Sequence, residues 1–144
     1  MVYNLIELDN KTDILNTYDI YKYCMYMPTK EKFIKKIDSF FNDDSVKIFS
    51  CRCDGEIKWI IVISFLESYK IEIIGIAVDF SSRKNGIATY MINSLISDYN
   101  INYIVAKTDN YAVDFYRKAG FTINKFIEKI NGDTIVRYQC VLVK

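Results

Sequence analysis

Two dipeptides, Asp54-Gly55 and Asn131-Gly132, do most to limit how this chain folds. Each sits between runs rich in Ile, Val, Phe and Tyr: 46–53 and 56–66 around the first, 121–130 and 134–143 around the second. A two-residue hairpin turn of the favoured hand needs positive φ at both central residues, which Asp-Gly and Asn-Gly tolerate and most pairs do not. The chain therefore carries two antiparallel hairpins, one near its middle and one at its end. An all-strand fold is excluded by what surrounds them. After Gly86 the apolar spacing becomes helical, with Ile87, Met91, Leu95 and Ile96 on one face as far as about Tyr99.

The remaining segments follow the same logic. Tyr3 to Leu8 predicts a strand, and Thr12 to Tyr26 a helix through Ile14, Leu15, Tyr18 and Tyr21. Beyond Pro28, Thr29 caps a second helix whose face is Phe33, Ile37, Phe40 and Phe41, ended by Asn42-Asp43-Asp44. Ile71 to Val78 and Ile101 to Lys107 read as strands, and Asp109 to Ala119 as a helix closed by Gly120. The expected order is β-α-α-β-β-β-α-β-α-β-β. This is an α/β or α+β fold with a mixed central sheet of about seven strands and about four helices. No repeat or linker divides residues 1–144, so one domain is expected.

Composition removes several functions. The net charge is +1, with acids and bases mixed along the length. The lysines at 30, 32, 35 and 36 are interrupted by Phe33 and Ile34, which reads as a solvated helix side rather than a nucleic-acid surface. Apolar runs such as 59–63 are too short to span a bilayer, and Met1 to Asn4 lacks the features of a signal peptide. Neither nucleic acid nor membrane is an expected partner, and the cytoplasm is the expected location. Cys24, Cys51, Cys53 and Cys140 fit no common zinc spacing and read as reduced, mostly buried thiols. There is no histidine, which excludes Ser-His-Asp and Cys-His catalysis and His-ligated metals. Acid–base chemistry falls to carboxylates, tyrosines, lysines, thiols or water, and no metal is expected.

The segment from Val78 to Ala88 is a strand, a polar loop and a helix start. Amides of a first helical turn lack intrahelical partners and lie at the positive end of the helix dipole. Gly86 lets a ligand approach them, and Arg83 and Lys84 add charge, a combination suited to phosphate. A plain connection would show the same pattern, and no Walker A loop or G-x-G-x-x-G is present.

Read together, the residues are more specific. Arg83-Lys84-Asn85-Gly86-Ile87-Ala88 resembles the Arg/Gln-x-x-Gly-x-Gly/Ala motif of the GCN5-related N-acetyltransferase superfamily, and Ile76-Ala77-Val78 its preceding strand. Residues 112–121, Ala-Val-Asp-Phe-Tyr-Arg-Lys-Ala-Gly-Phe, resemble its second signature. The resemblance implies acetyl-coenzyme A as cosubstrate, its pyrophosphate on amides from Asn85 through Gly86, Ile87 and Ala88 to Thr89. It also implies that the backbone of Ile76, Ala77 and Val78 pairs with the pantetheine arm like an added strand. Asp109 stands where the family usually has an asparagine, and the neighbouring Asn110 is the alternative contact.

Two catalytic candidates follow from the resemblance. Tyr116 matches a tyrosine near the coenzyme A sulfur, where it could protonate the departing thiolate; packing alone is the alternative. Glu72 resembles the general base of histone-acetylating relatives. Strand alternation would set it on the face of Ile74, Ile76 and Val78, with an ion pair to Lys70 as the alternative role. Tyr18, Tyr21, Tyr23, Tyr26, Met25 and Met27 either border the acceptor or pack the core. The implied reaction is acetylation of an amine, on a small molecule or peptide N-terminus, by direct attack in a ternary complex. The competing reading is an inactive coenzyme A-binding sensor or scaffold. The final strand offers an edge for a homodimer.

Overall fold

The computed structural model describes residues 4–79, 86–110 and 112–144. Along the chain run β1 (Ile6–Glu7), α1 (Lys11–Leu15), α2 (Tyr18–Tyr21), a 3-10 turn (Lys22–Cys24) and α3 (Lys30–Phe41). Then come β2 (Val46–Cys53), β3 (Glu56–Glu67), β4 (Lys70–Val78), α4 (Ile87–Tyr99), β5 (Tyr103–Thr108), α5 (Val113–Lys118), β6 (Thr122–Ile130) and β7 (Asp133–Val143). The mixed sheet of seven strands is as expected, with five α-helices instead of four.

The additional helix comes from a break in the first helical stretch. Asn10 caps α1 by accepting the Thr12 and Asp13 amides. Seven residues on, the buried Thr17 hydroxyl donates to the Ile14 carbonyl at 2.6 Å. A side chain that satisfies main-chain groups locally competes with the helical ladder, and the chain turns there before α2. The helix expected from Asp109 starts late, at Val113 with Ala112 as its N-cap; ahead of it the Asp109 side chain and carbonyl accept the Ala112 and Val113 amides. Local signals elsewhere act as read. Thr29 accepts the Lys32 amide at the start of α3, and Asp54, Gly55, Asn131 and Gly132 all have positive φ.

The sheet order is β1-β2-β3-β4-β5-β7-β6. Every pairing is antiparallel except β4 with β5, which need the α4 crossover to run parallel. β7 lies between β5 and β6, so the final strand has no open edge; the edges are β1 and β6. The dimer edge expected on the last strand is therefore not there. Helices cover both faces. On one, Ile87, Met91 and Leu95 of α4 and Tyr116 of α5 pack on Ile61, Ile63, Ile71, Ile73 and Ile104. On the other, Ile14, Tyr21, Phe33 and Ile37 pack on Ile48, Ile60, Val62 and Ala77.

Two irregularities in β4 position the site. Ile73 pairs with Ile63 and Gly75 with Val62, so Ile74 is an extra residue, a bulge. Bulges bend a strand and increase its twist. Beyond the bulge β4 stays with β3 as far as Val78, while its ladder with β5 ends at Ile73↔Ala106. β5 continues to Thr108 beside β7. The two parallel strands therefore part like the arms of a V.

Gly75 is where the bulge meets α2. A Cβ at Gly75 would lie 2.5 Å from the hydroxyl of the buried Tyr21 and 3.1 Å from the Cys24 sulfur. Gly75→Ala is expected to cost ~1–3 kcal/mol by overpacking. Tyr21→Phe in the same background should recover part of that loss, because the nearest clashing atom is then gone. Denaturant titration of the single and double variants measures both effects.

Candidate active site

Where β4 and β5 part, a groove of about 800 Å3 opens. Residues 73–78 of β4 form one wall, and Lys107, Thr108, Asp109, Ala112, Phe115 and Tyr116 the other. The first turn of α4, Gly86 to Thr89, borders it from the sheet face that carries α4 and α5. Residues 23–27, with Ile135 and Arg137 of β7, border it from the opposite face.

Most residues singled out from the sequence meet here. Ile76, Ala77, Val78, Gly86, Ile87, Ala88, Thr89, Asp109 and Tyr116 all line the groove. Arg83, Lys84 and Asn85 lie outside the described residues. Asn110 is not in the wall; its side-chain oxygen accepts the Tyr138 hydroxyl at 2.6 Å. The Tyr and Met segment divides in two. Tyr18 and Tyr21 pack on Phe33, whereas Tyr23, Met25, Tyr26 and Met27 face the groove.

Glu72 lies elsewhere than simple alternation sets it. The bulge at Ile74 inverts the phase, so Ile76 and Val78 share the α4 face with Ile71 and Ile73. Glu72 pairs with Ser64 and Val105 on the opposite face, half-buried and outside the groove wall. Nor does it pair with Lys70, whose ammonium sits 4.5 Å from the centre of the Tyr103 ring.

Gly86 is the N-cap of α4 at φ 73°, and a Cβ there would meet no atom of the described residues within 4 Å. The first turn of α4 lines the groove, and amides at a helix start lack intrahelical partners, a combination that fits a diphosphate. Across the groove, Tyr116 is 3% exposed, with its ring edge-on to Phe115 and Phe121, each at 5.1 Å. Burial holds its phenol well above the ordinary value, and nearby Cys140, Cys24 and Asp109 push the same way. It keeps its proton through the physiological range, so it can donate but not act as a base.

Cys24, Lys107, Ile135 and Arg137 belong to the groove although nothing in their spacing announced it. They come from three separate elements, the 3-10 turn, β5 and β7. Arg137 Nε donates to the Thr108 carbonyl at 3.1 Å, and its Nη1 lies 3.5 Å from Glu128. Of the four free cysteines two are buried, Cys51 and Cys140, fewer than expected. Cys24 is exposed as a residue, but its thiol donates to the Tyr21 carbonyl and lies against Gly75. Burial pushes that thiol up to about 12, against the lowering effects of the Tyr21 hydroxyl, the Lys36 charge and the Cys24 and Ile76 amides. At pH 8 Cys24 should hold roughly a thousandfold less thiolate than a free cysteine. Iodoacetamide labelling followed by peptide mass spectrometry is expected to find it almost unmodified, with reaction rising only in strong alkali.

The sequence matches the profile described as the Acetyltransferase (GNAT) family over residues 12–121. No curated protein matches the chain by sequence. A GNAT family acetyltransferase from Elizabethkingia anophelis, solved with acetyl-CoA bound, has a TM-score of 0.70 at 19% identity, covering 99% of this chain and 98% of that one. The ribosomal-protein-S18-alanine N-acetyltransferase from Escherichia coli gives 0.74 at 15% identity over 99% and 94%. A spermidine N-acetyltransferase mutant from Vibrio cholerae gives 0.73 at 13% over 98% and 93%. These structures share the fold; the family match covers well over half of the sequence and includes both the α4 loop and α5. The chain belongs to the acetyltransferase (GNAT) family, and is an acetyl-CoA-dependent transferase.

Proposed function

We propose that the protein transfers the acetyl group of acetyl-coenzyme A to the amine of a small molecule or a peptide N-terminus, by direct attack in a ternary complex. The observation that carries this is the split between β4 and β5, open to the first turn of α4 on one face and to an apolar pocket on the other. Acetyl-coenzyme A supplies a thioester already activated toward amines. Amides from Gly86 to Thr89, with Asn85, Arg83 and Lys84 of the motif, hold its diphosphate. The β4–β5 ladder ends at Ile73↔Ala106, and the main chain of the β4 edge from Ile76 to Val78 binds the pantetheine arm as a strand would. An amide of that edge polarises the thioester carbonyl.

The titrating groups divide the remaining work. Tyr116, protonated by burial, donates to the departing sulfur. Glu72, on the sheet face shared with the acceptor pocket, takes the amine proton directly or through water, since a free amine has a pKa near 10. Asp109 accepts the Ala112 amide just ahead of α5 and contributes shape more than contact. Cys24 is the one thiol in the described wall, and its retained proton argues against an acyl-enzyme. Tyr23, Met25, Tyr26 and Met27 favour an uncharged or singly charged amine with an apolar body. A polyamine would need converging carboxylates, and Asp109 is the one carboxylate among the described wall residues.

Thiol release from acetyl-coenzyme A across an amine panel tests the activity; coenzyme A binding with no turnover on any amine would reduce the protein to a sensor. In Gly86→Val, a β-branched residue must take positive φ, at a cost of roughly 1–2 kcal/mol, and it projects into the diphosphate space. Calorimetry is expected to show acetyl-coenzyme A affinity reduced at least tenfold in a folded variant. Tyr116→Phe leaves the ring packing and removes one hydroxyl. Its kcat is expected to fall about a hundredfold, toward the low end of general acid effects, with cofactor affinity nearly unchanged. Single-turnover kinetics read the chemical step.

A further inference from the structure

We infer that the acceptor is an amino carboxylate, a small amine whose own carboxylate is held by Arg137. Acetylation of that amine rests on the function proposed above; recognition of the carboxylate rests on the charge and geometry of this wall. The described groove wall carries two cations, Lys107 and Arg137, and one carboxylate, Asp109, which accepts the Ala112 amide. Lys107 and Arg137 are far apart in sequence, yet register puts them on the same sheet face: Lys107 opposite Gln139, two residues from Arg137 on β7. This is the face from which the 23–27 segment closes the groove.

Arg137 is built to receive an anion. Its side chain is 23% exposed, and the Nε bond to the Thr108 carbonyl fixes the plane of the guanidinium. The carboxylate of Glu128, at 3.5 Å, is too distant for a good hydrogen bond and engages one nitrogen only. A guanidinium has five donors, so donors remain for a carboxylate in the forked geometry that suits it. Lys107, whose ammonium is 5.9 Å from the centre of the Phe126 ring, meets no carboxylate among the described residues and adds a second positive charge. Asp133 is not among the wall residues; it accepts the Tyr26 hydroxyl at 3.0 Å.

That last bond also selects for size. It joins the 23–27 segment to the β6–β7 hairpin and bridges the rim, so a small ligand passes beneath it while an extended polypeptide would have to break it. An amino carboxylate fits this wall: carboxylate on Arg137, apolar side chain against Tyr23, Met25, Met27 and Ile135.

Matched pairs test this: phenylalanine against phenethylamine, and methionine against 3-(methylthio)propylamine. Two quantities are measured for each, kcat/KM by thiol release and binding to the coenzyme A-saturated protein by calorimetry. The carboxylated member is expected to be preferred by roughly ten- to a hundredfold, the value of a hydrogen-bonded charge pair. In Arg137→Gln that ratio should collapse toward one, and Arg137→Lys should retain part of it. Because the readout is a ratio within one protein, partial loss of fold does not imitate the effect. Equal handling of both members by the wild type, or a ratio that survives in Arg137→Gln, overturns the inference while leaving acetyl transfer intact. Carboxylate-dependent binding with no turnover on any amine keeps the inference and removes the transferase reading.

Discussion

Along β3 the step from Ile63 to Val62 is a single residue, but along β4 the matching step, from Ile73 to Gly75, is two. The extra residue, Ile74, cannot be absorbed in a flat ladder, and the strand bends away from β5 beyond it. Gly75 makes the bend tolerable, because Tyr21 and Cys24 occupy the space a side chain would take. The β4–β5 ladder ends at this bend, and the groove between the parted strands is where the proposed strand-like ligand would pair.

The same groove sets the protonation states of its side chains. Apolar walls disfavour a phenolate or a thiolate, so Tyr116 and Cys24 both remain neutral. In the proposed reaction the neutral Tyr116 is the proton donor to the departing sulfur, and the neutral Cys24 does not compete as a nucleophile. The contact of Arg137 with the Thr108 carbonyl ties it to the end of β5, where the strands part.

Much of the fold was legible because it is locally encoded. The turn at Asp54-Gly55, the cap at Thr29 and the apolar stripe of α4 each depend on a few adjacent residues, and each appears where those residues are. The breaks were harder to read. Thr17 was one polar residue in a helical pattern, and its turn depends on burial of its hydroxyl against Ile14. Gly75 was the visible sign of a bulge within β4, yet a glycine in a strand is also read as a weak spot or a close approach. With the bulge unseen, alternation carried Glu72 to the wrong face.

The cofactor half of the proposed site was legible in the sequence alone, because its residues fall into two short stretches, 76–89 and 109–116. Contiguous backbone makes those contacts, so contiguous residues record them. The acceptor half was decided by tertiary structure. Tyr23 to Met27, Lys107, Ile135 and Arg137 reach one pocket only because β7 inserts between β5 and β6 and brings the final hairpin beside the first helical segment. Side chains that meet through strand order and register have no characteristic spacing, and no reading of the chain in one dimension assembles them.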